Sequence, residues 1–191
     1  MTAPADAAAA GFAIAAAFET IDVPYALGGA LALGVHGVPR GTLDVDVNVF
    51  VEPDALGPVI DRLQALGVSL DAAAATTRAR RDGMFVGKWA GIRIDVFVPS
   101  IPFSHEAGKT RVRLVDTDGV ATWFLSREAI TVFKLLFYRP KDIVDLERLV
   151  AVSGRTLDHA YVRRWIVEMM GADDPRVATW DDLVRRFAPQ S

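Results

Sequence analysis

Three aspartates in this 191-residue sequence stand where they could do metal chemistry. Asp44 and Asp46 lie in Asp-Val-Asp-Val-Asn-Val, and strand alternation puts Val45, Val47, Val49 and Val51 on one face and Asp44, Asp46 and Asn48 on the other. Carboxylates held side by side repel unless they are solvated, one is protonated, or a divalent cation sits between them. The chain has no cysteine, so oxygen-only ligation points to Mg²⁺ or Mn²⁺. Asp95, in Ile-Arg-Ile-Asp-Val-Phe-Val, takes the polar face of a neighbouring strand in the same way. Three acids from two strands would hold two cations, activate an attacking hydroxyl and steady a phosphoryl transition state. Plain polar exposure for Asp44 and Asp46, and separate surface ion pairs for Arg93 and Asp95, are the alternatives that the pattern leaves open.

Gly28-Gly29 falls between a short apolar stretch and a helix-favouring one. Glycines there let backbone N–H groups approach a phosphate, and the following helix N-terminus favours negative charge; a tight turn is the alternative. Lys134 belongs to Arg127–Tyr138, a segment apolar almost all round, whose only polar stripe is Arg127, Thr131, Lys134 and Tyr138. A lysine on a largely buried helix needs an anion. A triphosphate would supply it, and so would an internal carboxylate such as Asp142 or Asp145.

The order Gly28-Gly29, then Arg40-x-Thr42-x-Asp44-x-Asp46, resembles the minimal nucleotidyltransferases of the polymerase β fold, and within them the AbiEii-like group that includes toxins of toxin-antitoxin systems. A second block, Lys134-Leu-Leu-Phe-Tyr-Arg139-Pro-Lys141-Asp142-Ile-Val-Asp145-Leu, is similar to that group's lysine helix and its Arg-Pro-Lys-Asp-x-x-Asp segment. With the Asp95 strand, the resemblance spans about residues 25 to 150 in the right order. It implies an α+β nucleotidyltransferase core on a small mixed sheet, with Mg²⁺ (or Mn²⁺) as cofactor and a nucleoside triphosphate as substrate. A hydroxyl would attack the α-phosphate and release pyrophosphate. The resemblance assigns Asp44, Asp46 and Asp95 to metal binding and catalysis, and Lys134 to catalysis at the nucleotide phosphates. It assigns Gly28, Gly29, Arg40, Thr42, Asp142 and Asp145 to nucleotide binding. The toxin group further implies an RNA acceptor, the tRNA 3′ end, and an antitoxin partner. Small-molecule nucleotidyltransferases of the aminoglycoside-modifying kind use a similar Gly-Gly and Asp-x-Asp arrangement. Many members carry a serine after the glycine pair, where this chain has Ala30; the missing hydroxyl motivates a third reading, a non-catalytic nucleotide-binding or interaction module.

Positioning these residues requires strands in the middle of the chain and helices at its ends. The patterns predict a helix over Pro4–Glu19 ended by Asp22-Val23-Pro24, a strand over Tyr25–Leu27, a helix over Ala30–His36 and a strand over Asp44–Val51. Leu56, Val59, Ile60, Leu63 and Leu66 follow helical spacing with Gly67 as the stop. Met84–Trp89 and Ile92–Val98 read as a hairpin, and Arg111–Val115 and Val120–Phe124 as further strands. Ser126 is an N-cap, after which Arg127–Tyr138, Lys141–Val152, Leu157–Met170 and Ala178–Phe187 read as helices. The composition shift there divides a core over residues 1–125 from a C-terminal helical lobe over residues 126–191, expected to pack on it.

With 51% hydrophobic and 24% charged residues the chain is globular, not disordered. Ala7–Phe18, its longest apolar run, is too short to span a bilayer, and the acidic flank before it is wrong for a secretory signal. No membrane association and a cytoplasmic location are therefore expected. The net charge of −3 argues against a surface devoted to nucleic acid. The stretch from Arg78 to Arg113 nevertheless holds eight basic residues against three acidic ones, read either as a solvated face on exposed strands or as a patch facing RNA. His36 reads as a packed or capping residue, and His105 and His159 lack partners at metal spacing. Ser104-His105-Glu106 cannot form a triad by adjacency. Trp123, Trp165 and Trp180 read as core or lobe-contact residues.

Overall fold

Alternating valines make Asp44–Val49 a strand, and the computed structural model, which describes residues 3–188, sets it inside an α+β architecture with one mixed six-stranded sheet. The strands are Tyr25–Leu27 (β1), Asp44–Val49 (β2), Met84–Trp89 (β3), Ile92–Phe97 (β4), Val112–Val115 (β5) and Ala121–Phe124 (β6). Their order is β3-β4-β2-β1-β6-β5. β2 is antiparallel to β1 and parallel to β4, β1 is parallel to β6, and the outer pairs β3/β4 and β5/β6 are antiparallel hairpins. The parallel register pairs Asp44 with Arg93 and Asp46 with Asp95.

The apolar face of this sheet carries Leu27, Val45, Val47, Val49, Ile94 and Val96, all fully buried. The helix Ala7–Glu19 (α1) lies on it. A side chain at Gly11 would meet Leu31, Val45 and Leu27, so the glycine lets the helix approach the strands closely. α1 begins at Ala7 and not at Pro4, because the Asp6 carboxylate accepts from the Ala9 N–H and caps it there. Gly29–Val35 (α2) and Gly57–Leu66 (α3) follow the expected spacing, and Gly67 ends α3 at φ 99°.

Two helices were not legible in the pattern. Ala72–Asp82 (α4) packs along β3 using only Ala75 and Ala79 as its buried face, too small a stripe to give an apolar period. Pro102–Lys109 (α5) follows β4 and carries Ser104, His105 and Glu106. β2 ends at Val49 and not at Val51, where the chain leaves the ladder towards Pro53.

The described residues divide into two compact units. One comprises the chain up to Leu31 together with Gly41–Leu125; the other comprises Ala32–Arg40 and the chain from Ser126 onward. The second is helical: Arg127–Phe137 (α6), Pro140–Ser153 (α7), His159–Met170 (α8) and Pro175–Phe187 (α9), with α6 against the other three. Ser126 caps α6 by accepting from the Ala129 N–H, as its type predicts. Tyr138 lies outside α6 as its left-handed C-cap, φ 54° and ψ 33°. Trp180 is buried, whereas Trp123 and Trp165 are only partly so. Among the described residues no helix is long and apolar enough to cross a membrane.

Tyr25 ties α1 to the sheet, its hydroxyl donating to Glu19 at 3.1 Å and accepting from the Trp123 N–H at 3.5 Å. Burial is the main cause that pushes its pKa up to about 12. The unfolded chain gives up this proton near pH 10, so folding stability falls as pH rises from about 10 towards 12. Urea unfolding across that range is expected to show the decline in the natural sequence and a flatter profile in Tyr25→Phe.

Candidate active site

The polar face of the sheet gathers the aspartates that the sequence singled out. Asp44, Asp46 and Asn48 point to one side of β2, and the parallel register brings Asp95 of β4 directly beside Asp46, at the strand spacing of about 4.8 Å. Gly28 and Gly29 follow β1 and border this face, against Asn48 and Asp46. The Gly28 N–H donates to the Asp46 carbonyl at 2.8 Å, extending the β1/β2 ladder. That donor is engaged in the sheet. The glycine pair also leaves space. A Cβ at Gly28 would come within 2.9 Å of the Asn48 amide, and one at Gly29, which has φ 51°, would run into the Asp46 carboxylate. Ala30 is buried at the start of α2.

Each carboxylate already has company. The Thr42 hydroxyl donates to Asp44 Oδ1, so Thr42 braces the metal-type aspartate. Arg93 Nε donates to Asp95 Oδ1 at 2.8 Å, with the Asp95 side chain nearly buried and Arg93 about half exposed. The sequence alternatives of separate partners for these two thus resolve into one pair, two residues apart on the same strand face. Among the described residues no three histidine, cysteine, aspartate or glutamate side chains are gathered into a metal site. The donor chemistry of Asp44, Asp46 and Asp95 still fits a hard divalent cation, being oxygen only and on one face. Arg93 would have to part from Asp95 before all three could share it.

Lys134 is held inside the second unit. Its ammonium donates to Asp145 Oδ2 at 2.6 Å and to Asp142 Oδ1 at 3.1 Å, with all three side chains buried. The internal-carboxylate alternative is what the structure contains. Arg40, expected at a nucleotide, has Nε 3.3 Å from Asp145 Oδ1. Arg139 donates to Asp142 through Nε at 2.6 Å and through its backbone N–H at 3.2 Å, which places Asp142 as a cap at the start of α7. Burial raises the Asp142 pKa, but the hydrogen bonds from Arg139 and Lys134 outweigh it and hold the carboxyl below its ordinary value. Lys134, Arg40 and Arg139 thus all converge on the two carboxylates. The structural role of Arg139 was missed in the sequence. Its signal was the i, i+3 spacing of Arg139 and Asp142 across a helix start.

The basic stretch from Arg78 to Arg113 is not one strand face. It runs through α4, β3, β4, α5 and β5, and four of its eight cations have carboxylate partners: Arg80 with Asp54, Arg81 with Asp82, Arg93 with Asp95 and Lys109 with Glu106. Arg111 lies over the Trp123 ring at 4.5 Å and donates to the Gly108 carbonyl.

A family model described as a nucleotidyltransferase of unknown function (DUF6036) matches residues 17–187. No curated protein matches the sequence. Among solved structures, the fold is similar to the antibiotic-resistance factor ANT(2'')-Ia in solution, with a TM-score of 0.54 and 18% identity over 82% of this chain and 86% of that one. It is also similar to the lincosamide antibiotic adenylyltransferase LnuA, with a TM-score of 0.50 and 16% identity over 74% of this chain and 94% of that one.

Two outcomes follow from the geometry. Lys134→Met should destabilise the protein by about 3 kcal/mol at pH 7, since it strips a buried cation from two buried carboxylates. Asp142 has a depressed pKa, so its contribution is present above about pH 4 and is lost as pH falls through its lower folded value. Urea unfolding at pH 7 and pH 3 should therefore show the difference between Lys134→Met and the natural sequence shrinking in acid. Gly29→Ala should cost at least about 1–2 kcal/mol from its left-handed backbone alone. Gly41→Ala, where an added Cβ meets nothing within 4 Å, should change the same unfolding curve little.

Proposed function

Because the chain belongs to the nucleotidyltransferase family DUF6036, we propose that it moves a nucleoside monophosphate from a nucleoside triphosphate to a hydroxyl of a small organic acceptor. The observation that carries this reading is the placement of Asp44, Asp46 and Asp95 on one sheet face beside a glycine pair that leaves room for the Asp46 carboxylate. The acceptor hydroxyl gives up its proton to a carboxylate of this set, its oxygen forms a bond to the α-phosphorus, the bond from that phosphorus to the bridging oxygen breaks, and pyrophosphate leaves.

Asp44 and Asp46, joined by Asp95 once Arg93 has parted from it, would hold Mg²⁺. Bound there, the cation lowers the pKa of the acceptor hydroxyl and offsets charge on the phosphoryl oxygens. Thr42 braces Asp44, and Gly29 leaves room for the Asp46 carboxylate. Lys134 and Arg40 are the cations that this reading assigns to the phosphates. Ala30 removes one side-chain donor from the phosphate side.

A small acceptor is in keeping with the pairing of four of the eight cations of the basic stretch with carboxylates, which reduces the positive charge that this stretch offers to a polynucleotide. It is also in keeping with the fold's likeness to an antibiotic-resistance factor and a lincosamide adenylyltransferase. The second reading is transfer to RNA by a toxin held in check by an antitoxin. It is favoured by the Arg139-Pro-Lys-Asp-x-x-Asp block, whose two aspartates both meet Lys134.

The test offers the protein four α-labelled nucleoside triphosphates with Mg²⁺, against a panel of aminoglycosides and lincosamides in one arm and total RNA in the other. Label in a small acceptor is expected, and label in RNA alone would transfer the assignment to the second reading. Asp44→Asn and Asp46→Asn should each slow transfer on the order of a thousandfold with little change in melting temperature.

A further inference from the structure

We propose that the last helix, α9, positions Lys134, through a clamp of Arg176 and Thr179 on Tyr138. The proposal rests on the reading of Lys134 as a phosphate-binding residue. Tyr138 adopts φ 54° and ψ 33°, a conformation that side chains other than glycine and asparagine seldom take. A tyrosine kept there must be held by its surroundings. The hold comes from α9. Tyr138 Oη shares a hydrogen bond with Thr179 Oγ1, and the Arg176 guanidinium lies 5.2 Å from the centre of the Tyr138 ring. Arg176 also donates through Nε to the Leu135 carbonyl at 3.0 Å, satisfying one of the acceptors left open at the end of α6. Asp174 fixes Arg176 in turn, accepting from its side chain at 3.1 Å and from its backbone N–H at 2.9 Å.

The left-handed residue decides where the chain goes next. The Tyr138 N–H closes α6 on the Lys134 carbonyl at 2.9 Å. A single reversal at Tyr138 then lets α7 start at Pro140, so that Asp142 and Asp145 return to the Lys134 ammonium. The clamp thus touches neither the ammonium nor its carboxylates, yet it fixes the turn that brings them together. Arg176, Thr179 and the Tyr138 ring are positioning residues.

Glycine at position 138 separates position from stability, because it accepts the left-handed turn freely while giving α9 nothing to grip. The experiment measures melting temperatures of the full chain with and without an equimolar mixture of ATP, GTP, CTP and UTP and Mg²⁺. The natural sequence should be raised by the nucleotides. Tyr138→Gly should melt within a few degrees of it when free and lose most of the nucleotide-induced rise, whereas Tyr138→Phe, which keeps the ring under Arg176, should retain most of it. If Tyr138→Gly does not fold, Arg176→Met decides: a lost rise with an intact fold supports the clamp. A full rise in either Tyr138→Gly or Arg176→Met overturns it. Lys134→Ala is run alongside. If it keeps the rise, the phosphate role of Lys134 fails and the clamp with it; if only the clamp variants keep it, the clamp alone fails.

Discussion

The Asp46 carboxylate fills the space that a side chain at position 29 would need, and much of the first unit is arranged around that one exclusion. The chain must turn at Gly29 with positive φ, so β1 stops after Leu27 and α2 begins at once. Gly28 remains in the ladder through Asp46, which keeps β2 in register with β1. β2 is in parallel register with β4, and this sets Asp95 beside Asp46. The empty space at these two consecutive residues thus lies at the level where Asp46 and Asp95 stand side by side.

Like charges gathered in this way are expensive unless they are countered, and the two units answer the same problem with opposite signs. On the sheet, the Thr42 hydroxyl and the Arg93 guanidinium occupy oxygens of Asp44 and Asp95. In the helical unit the central charge is a buried ammonium, and the counter-charges are carboxylates sunk deeper still. Arg139 and Arg40, both in contact with solvent, then bind the outer oxygens of those carboxylates. The inner ion pairs join α6 to α7, and the outer cations add further ion pairs to the two carboxylates.

The distribution of positive charge bears on the acceptor. Cations that are close in sequence are carried by α4, the β3/β4 hairpin, α5 and β5, and local carboxylates neutralise half of them. A polynucleotide recognised through its phosphates needs cations that add up along a surface. A small acceptor needs only a few well-placed groups near the reacting hydroxyl.

By itself the sequence determined the elements whose side chains obey a period: β1, the valine alternation of β2, the β3/β4 hairpin, and the capped helices of the C-terminal half. It also determined that Asp44 and Asp46 share a face, because a strand's geometry is local. Helices α4 and α5 escaped it, since α4 buries only Ala75 and Ala79, and the eight-residue α5 buries Phe103 among Ser104, Ala107 and Gly108, too little apolar periodicity to read. Only the tertiary structure decided the partners. Strand pairing set Asp95 beside Asp46 and Arg93 beside Asp44, and the turn at Tyr138 chose Asp142 and Asp145 for Lys134. A chain pattern states which residues need a counter-charge, but which one they receive depends on distances that exist only after distant segments have come together.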